Sequence, residues 1–385
     1  MENVKIIIGA DIVPTETNVN RFIEGDAPYL FGDSIMRELE TADIRVFNLE
    51  VPLVNEEQPI NKCGPNLIAP RETIAAIKQI NPSCLVLANN HILDQGVEGV
   101  ESTIDVLEQN KISYIGVGKD VDEASKAWIV EVGKLSIGFF ACAEHEFSIV
   151  SEGKIGANPF DPLISYEKVK KIKECCDYVV VLYHGGKEHY RYPSPNLQRY
   201  CRKFIESGAD LVVCQHSHCI GCKEEYAEGI IIYGQGNFLF DRSQNECWQT
   251  SILIEVLLDE EHIKLEYIPL QKVNDSVRMA DEKQSKIILD GFVKRSEEIT
   301  KDGFVEENYK KYASEHLYEN LARIDFLSKN LFIRLINKLS GGQFRKWYLE
   351  KLYLPKMKYV LWNTIECEAW CELLLCGLRN DKGNK

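Results

Sequence analysis

The sequence predicts a layered α/β sandwich with mixed sheets over residues 1–272, followed by a helical C-terminal region over residues 273–385. Three observations predict it. Short apolar runs of strand length alternate with segments of helical period, the pattern of a sheet core covered by helices. Several of those runs end on a polar, metal-competent side chain: Asp11 in GADIVP, Asn90 and His91 in LANNHILDQG, His184 in VVVLYHGG, and His216 and His218 in DLVVCQHSH. After about residue 275 the strand signals stop and helical propensity takes over.

KIIIG (5–9) reads as a first buried strand, and DIRVFNLE (43–50) as a second that ends on Glu50. RETIAAIKQI (71–80) has helical spacing and CLVLA (84–88) is a third strand. In VEGVESTIDVLEQN (97–110), Val97, Val100, Ile104 and Leu107 share one helical face. YIGVG (114–118) follows, and AWIVEVGKLSIGFFACA (127–143) reads as a hairpin turning at Gly133-Lys134. SYEKVKKIKECC is helical and YVVVLYH (178–184) is a strand. SPNLQRYCRKFIESG (194–208) is a helix closed by Gly208, and DLVVCQH (210–216) is again a strand. EEYAEGIIIYGQGNF (224–238) reads as another hairpin, and SILIEVLL and HIKLEYIPL complete the strands.

The 385 residues are 45% hydrophobic and 27% charged, the balance of a globular chain with a sizeable core. A net charge of −14 opposes binding to a phosphate backbone and argues against a nucleic-acid partner. The first residues lack the basic lead and cleavage site of a signal peptide, and no apolar stretch approaches the roughly 20 residues of a membrane helix, so a cytoplasmic protein is expected. The thirteen cysteines are scattered; Cys84, Cys142 and Cys214 lie in apolar runs and read as small core residues.

Ligands gather beyond the carboxyl ends of strands in layered α/β sheets, and four of the eight histidines follow such runs. His216 and His218, two apart at a strand end, point their rings to one side. Asp11 and Glu50 supply hard carboxylates, Asn90 a neutral oxygen and His184 a further nitrogen. Such sets suit manganese, zinc or iron, and two ions would activate a water and clamp a phosphoryl-like group. His91, beside Asn90, is placed to protonate a leaving group. Blander readings stand beside these. Asp11 and Asn90 are favoured helix caps, and Asp94 and Gly96 shape the turn into the 97–110 helix. Glu188 and Arg191, in a polar loop before Pro193, are candidates for substrate contact or for simple solvation; Asn237 is a third substrate candidate. Cys219 and Cys222 directly after the two histidines suggest a structural zinc site, although zinc fingers separate their ligand pairs more widely.

In the order GADI, FNLEVPL, ANNHILDQG, LYHGGKEHY, PSPNLQRYCRKFIESGADLVV, QHSH and IIIYGQGNFLFD, the chain resembles the CapA family of capsule or poly-γ-glutamate synthesis proteins, built on the calcineurin-like metallophosphatase fold. The resemblance covers roughly residues 4 to 270. It implies two metal ions held by Asp11, Glu50, Asn90, His184, His216 and His218, with His91 as general acid. His218 would share one ion with Asp11, and His216 the other with Asn90 and His184. There are departures. Metallophosphatases usually open with Asp-x-His, where this chain has Val13; Gly185 replaces an aromatic; and family members often carry an N-terminal anchor that is not seen here.

Three functions follow as expectations: a metal-dependent hydrolase working with surface-polymer synthesis machinery, a non-catalytic subunit of a polymer synthase, or a structural zinc protein. From Lys329 to Lys358 eight Lys/Arg stand against the single acid Glu350, a local +7 that leaves −21 on the rest of the chain. Interleaved with Phe332, Phe344, Trp347, Tyr348, Tyr353 and Tyr359, this segment suggests peripheral contact with an anionic membrane; a helical appendage with solvated lysines is the alternative.

Overall fold

The computed structural model describes residues 3–324 and 330–380. Two compact units divide between Glu306 and Glu307. In the first, an eight-stranded sheet holds β1 (Val4–Val13), β2 (Ile44–Leu49), β3 (Cys84–Val86), β4 (Ser113–Ile115), β13 (Asn237–Phe240), β14 (Thr250–Leu258), β15 (Ile263–Val273) and β16 (Ser276–Met279). A six-stranded sheet holds β6 (Trp128–Val132), β7 (Leu135–Ala143), β9 (Tyr178–His184), β10 (Leu211–Gln215), β11 (Lys223–Tyr226) and β12 (Gly229–Tyr233). A small ribbon pairs β5 (Val117–Gly118) with β8 (Gly156–Ala157).

The first sheet runs β16-β15-β14-β1-β2-β3-β4, parallel from β1 to β4 and antiparallel across β14 to β16. The second runs β11-β12-β10-β9-β7-β6, parallel in the middle with an antiparallel strand at each edge. Both sheets are mixed, as expected. The central strands are Val/Ile-rich and buried on both faces, which is why they read as continuous apolar runs. Side chains alternate across the pleat. Ile6 and Ile8 join a cluster with Phe139, Val180 and Val213 between the sheets, while Ile7 joins Phe22, Phe31 and Leu107 under the helices of the first sheet. A third cluster, with Val181, Val212, Cys201 and Phe204, lies under helices Ser165–Lys173 and Pro195–Glu206. The order is therefore helix, sheet, sheet, helix.

Local chemistry fixes the element ends. The Ser194 hydroxyl accepts from Leu197 N at 3.1 Å, and Pro195 occupies the first turn of its helix. In the helix Gly96–Gln109, Val100 and Leu107 are buried, but Val97 and Ile104 lie at the rim. Gly99 turns inward instead, where an added Cβ would lie 2.7 Å from the Gln95 Cβ and 3.4 Å from that of Pro52.

Two readings of the sequence are corrected. Residues 224–238 are not one hairpin: β11 and β12 form it, and the chain then leaves through Gly234 (φ 110°) and Gly236 (φ 79°) to the other sheet, where β13 runs parallel to β1. Only glycine takes those angles cheaply. Strand structure also extends past residue 275, because β16 pairs with β15. The helix Glu282–Ile299 buries Ile288 and Phe292 in the cluster between the sheets, so the first unit takes in residues that the sequence groups with the appendage.

The helix Phe304–Glu315 runs across the division, and the second unit continues as helices Leu317–Ile324, Leu331–Leu339, Gln343–Leu352, Pro355–Glu366 and Glu368–Asn380. Lys329, at the head of the basic run, lies outside the described residues. Leu349 is fully buried, and the Asn330 side chain caps the helix Leu331–Leu339.

Candidate metal centre

Parallel pairing brings the carboxyl ends of β1, β2, β3, β9 and β10 to one edge. Asp11 lies opposite Asn48, and His184 opposite Gln215. Asp11 sits at a register shift in β1, which pairs with β14 up to Ile8 and with β13 from Asp11 onward. Glu50 follows β2 directly, and Asn89, Asn90 and His91 follow β3.

Two buried groups of metal-competent side chains meet there. One is Glu50, His184 and His216; the other is Asp11, Glu50 and His218; within each group the ligand atoms lie within 4.8 Å of one another. Glu50 belongs to both. Asn90 Oδ1 is 3.0 Å from His184 Nε2, and Glu50 Oε1 is 3.3 Å from the same nitrogen. The six side chains singled out in the sequence thus converge. Neither group includes Cys219 or Cys222, and the Cys222 side chain lies in the core cluster outside the second sheet.

His216 and His218 do not meet as neighbours on an extended strand. β10 ends at Gln215, and both histidines have left-handed backbone, φ 87° and 53°. Such angles cost a non-glycine residue of order 1–3 kcal/mol and cluster at functional sites. The turn sends one ring to each group.

The residues fit a cation. Asp11 Oδ2, both oxygens of Glu50 and Nδ1 of His216 are buried without a hydrogen-bond partner. Buried charge is retained where it is paired or ligates a metal. Burial, together with the charge of Asp11, pushes the Glu50 carboxyl well above its usual range. Burial opposes the charge on Asp11 too, but the neighbouring His218 ring, 3.7 Å away, and the field of His184 hold it low. Burial lowers His184 to about 4 and drives His216 well down, so both are neutral and free to ligate. Burial also opposes charge on His218, yet Asp11 and Glu50 raise it to about 9.

Further residues support this set. Asp94 Oδ2 lies 2.5 Å from His91 Nδ1 and accepts from Leu67 N at 2.6 Å. Lys62, almost wholly buried, pairs with Asp94 and stands 3.3 Å from His91 Nδ1. Asp94 therefore does more than shape its turn. Asn48 donates to Asp11 Oδ1 at 2.7 Å, and Asn89 donates to Leu49 O while accepting from His91 N. Glu146 reaches Asn90 Nδ2 at 3.4 Å and His216 Nε2 at 3.9 Å from a partly exposed position. Trp248 packs against His218 at a tilt, ring centroids 4.4 Å apart, and donates to His189 at 2.8 Å.

Of the substrate candidates, Asn237 meets the ligand set itself, its Oδ1 being 2.8 Å from His218 Nδ1. Arg191 donates to Ile220 O and pairs with the exposed Glu246 at 2.7 Å. Glu188 is near enough for its charge to raise Glu50 further.

Comparison with known proteins places this geometry. The family model described as bacterial capsule synthesis protein PGA_cap matches residues 5–242, which contain every residue of the two groups. The capsule biosynthesis protein CapA of Bacillus anthracis is 28% identical over 241 residues, covering 60% of this chain and 59% of that one. The PGA biosynthesis protein CapA of Bacillus subtilis is 27% identical over 235 residues, covering 58% and 61%. The chain thus spans about three fifths of the length of these relatives. A solved structure titled a novel phosphatase, from Mycoplasma pneumoniae, superposes with a TM-score of 0.45 at 13% identity, covering 72% of this chain and 95% of that one, too loosely to argue from.

Proposed function

Because the chain belongs to the bacterial capsule synthesis family, matched over residues 5–242, we propose that it is a metal-dependent hydrolase serving the synthesis of a surface polymer. The observation that supports this most is the pair of buried ligand groups sharing Glu50, set beside a histidine fixed by Asp94. Asp11, Glu50 and His218 would hold one divalent ion, and Glu50, Asn90, His184 and His216 a second, of the manganese, zinc or iron kind. When bound, such ions acidify a water and polarise the bond under attack.

The protein's own residues do the rest. His91 commits Nδ1 to Asp94, which leaves Nε2 as the position that hands a proton to the leaving group from the imidazolium form, a form that burial disfavours and Asp94 favours. Asp94 is a positioning residue, and Lys62 is its buried ion-pair partner. Asn237 and Trp248 brace the His218 ring from two sides. Arg191 is the cation for an anionic substrate group, which would displace the exposed Glu246 carboxylate, while Glu188 stands on the opposite side of the charge balance. Phosphate esters are the leading substrate class and amide bonds the second. The machinery of surface-polymer synthesis is the partner.

The test is a metal analysis of the purified chain joined to a panel of phosphomonoesters, phosphodiesters and γ-glutamyl amides. Hydrolysis that follows metal loading and is lost in His91→Asn supports the reading. Full metal loading with no hydrolysis of any class would instead identify a non-catalytic metal-fold subunit.

A further inference from the structure

The second unit keeps little of its apolar surface for itself. Among its described residues the buried hydrophobic side chains are Leu321, Ala322 and Leu349. By contrast Leu331, Phe332, Leu335 and Leu339 are all exposed on one helix, two of them at 79%. Trp347, Met357, Tyr359, Val360, Trp362 and Ile365 are exposed on the next two helices. Monomeric surfaces rarely leave so large an apolar area bare without a function.

What covers it is indicated by charge. Arg334 and Lys338 lie exposed on the same helix as those four apolar side chains, and Lys346, Lys351 and Lys356 are exposed among the tryptophans. From 331 to 365 the only acid is Glu350. The cores of protein interfaces are depleted in lysine, whereas a bilayer interface accepts it, because the stem lies along the acyl boundary and the ammonium reaches the headgroups. Tryptophan and tyrosine favour the same depth. No helix among the described residues is long and apolar enough to cross a membrane, so these would lie flat.

We propose that residues 331–365 form a docking surface for an anionic lipid bilayer, with the helices in the interface plane. The proposal is independent of the hydrolase reading. It is tested by co-sedimenting the full chain with phosphatidylserine–phosphatidylcholine vesicles, and with pure phosphatidylcholine, at low and high salt.

The wild-type chain is expected to sediment with the anionic vesicles at low salt and to be released as salt screens the charges. Leu335→Ser/Leu339→Ser removes apolar contact and Lys351→Glu/Lys356→Glu removes charge. Each is expected to weaken partitioning by about tenfold or more, with circular dichroism unchanged. All four positions are exposed, so the fold does not depend on them. Equal binding to neutral and anionic vesicles, no binding at low salt, or variants that bind like wild type would each overturn the proposal. Light scattering separates the other occupant: a dimer that Leu335→Ser/Leu339→Ser dissociates, without vesicle binding, would make this face a contact between copies.

Discussion

His91 owes its position to three neighbours more than to its place in the chain. Asp94 fixes its ring, Asn89 holds its backbone, and Lys62 balances the charge of Asp94. Changing His91 to Asn is expected to leave metal content intact and to cut turnover by about 10²–10⁴-fold, measured on whichever substrate the panel identifies. Lys62→Met leaves the Asp94 carboxylate buried without its cation. A loss of roughly 3–5 kcal/mol in denaturant-unfolding stability is expected; an unchanged midpoint would show that the fold does not depend on the Lys62–Asp94 ion pair. The pH dependence has a definite sign. In the metal-free chain His218 is raised from 6.5 to about 9, so its contribution to stability is full below 6.5 and is lost as pH rises through about 9. Metal binding at His218 must expel that proton, so affinity should climb across the same window. Calorimetric titration in buffers of different ionisation enthalpy would count the protons released. The histidines and Asp11 were legible in the sequence because each stands just after an apolar run. Lys62 and Glu146 were not, because they arrive from loops that carry no periodic signal.

Among the elements, the parallel strands were the most legible part, since burial on both faces leaves a plain apolar run. What the runs do not encode is where the chain changes sheet. Gly234 and Gly236 make that change between β12 and β13, and without it Asn237 would not meet His218. Nor do the runs encode the backbone beyond β10. The division of His216 and His218 between two groups is the one the family resemblance implies, but left-handed backbone at both residues, rather than an extended strand, brings it about. β1 is equally constrained one residue short of Ala10. A Cβ on Gly9 would stand 2.2 Å from the Phe47 ring, so Gly9→Ala must shift β1 or β2 just before Asp11 and Glu50. A loss of about 1–3 kcal/mol is expected, with weaker metal retention. Thermal unfolding with and without added metal separates the two effects; a variant destabilised but with wild-type metal affinity would show that the strand ends tolerate the shift.

At the level of the whole molecule, the first unit has its own three core clusters and contains every residue of the candidate site. A chain ended after Glu306 is therefore expected to hold as much metal as the full chain, measured by elemental analysis; loss of metal would tie the site to the second unit. The boundary was hard to read because the helix Glu282–Ile299 has the composition of the appendage and the packing of the sandwich. One connection in this unit bears on how the protein comes to exist at all. Asp11, in the first strand, pairs with Asn48 on one side and with Asn237 on the other, so the second of the two registers that place it is closed only after more than two hundred residues have been made. Loop closure over such a span is entropically costly and slow relative to local contacts. Synthesis thus proceeds with one side of Asp11 unpaired, and the cation pocket is completed only when that second register forms. Ion capture would then mark a finished chain: an arrested nascent polypeptide lacking β13 should leave the ion in solution, however well its earlier strands have formed.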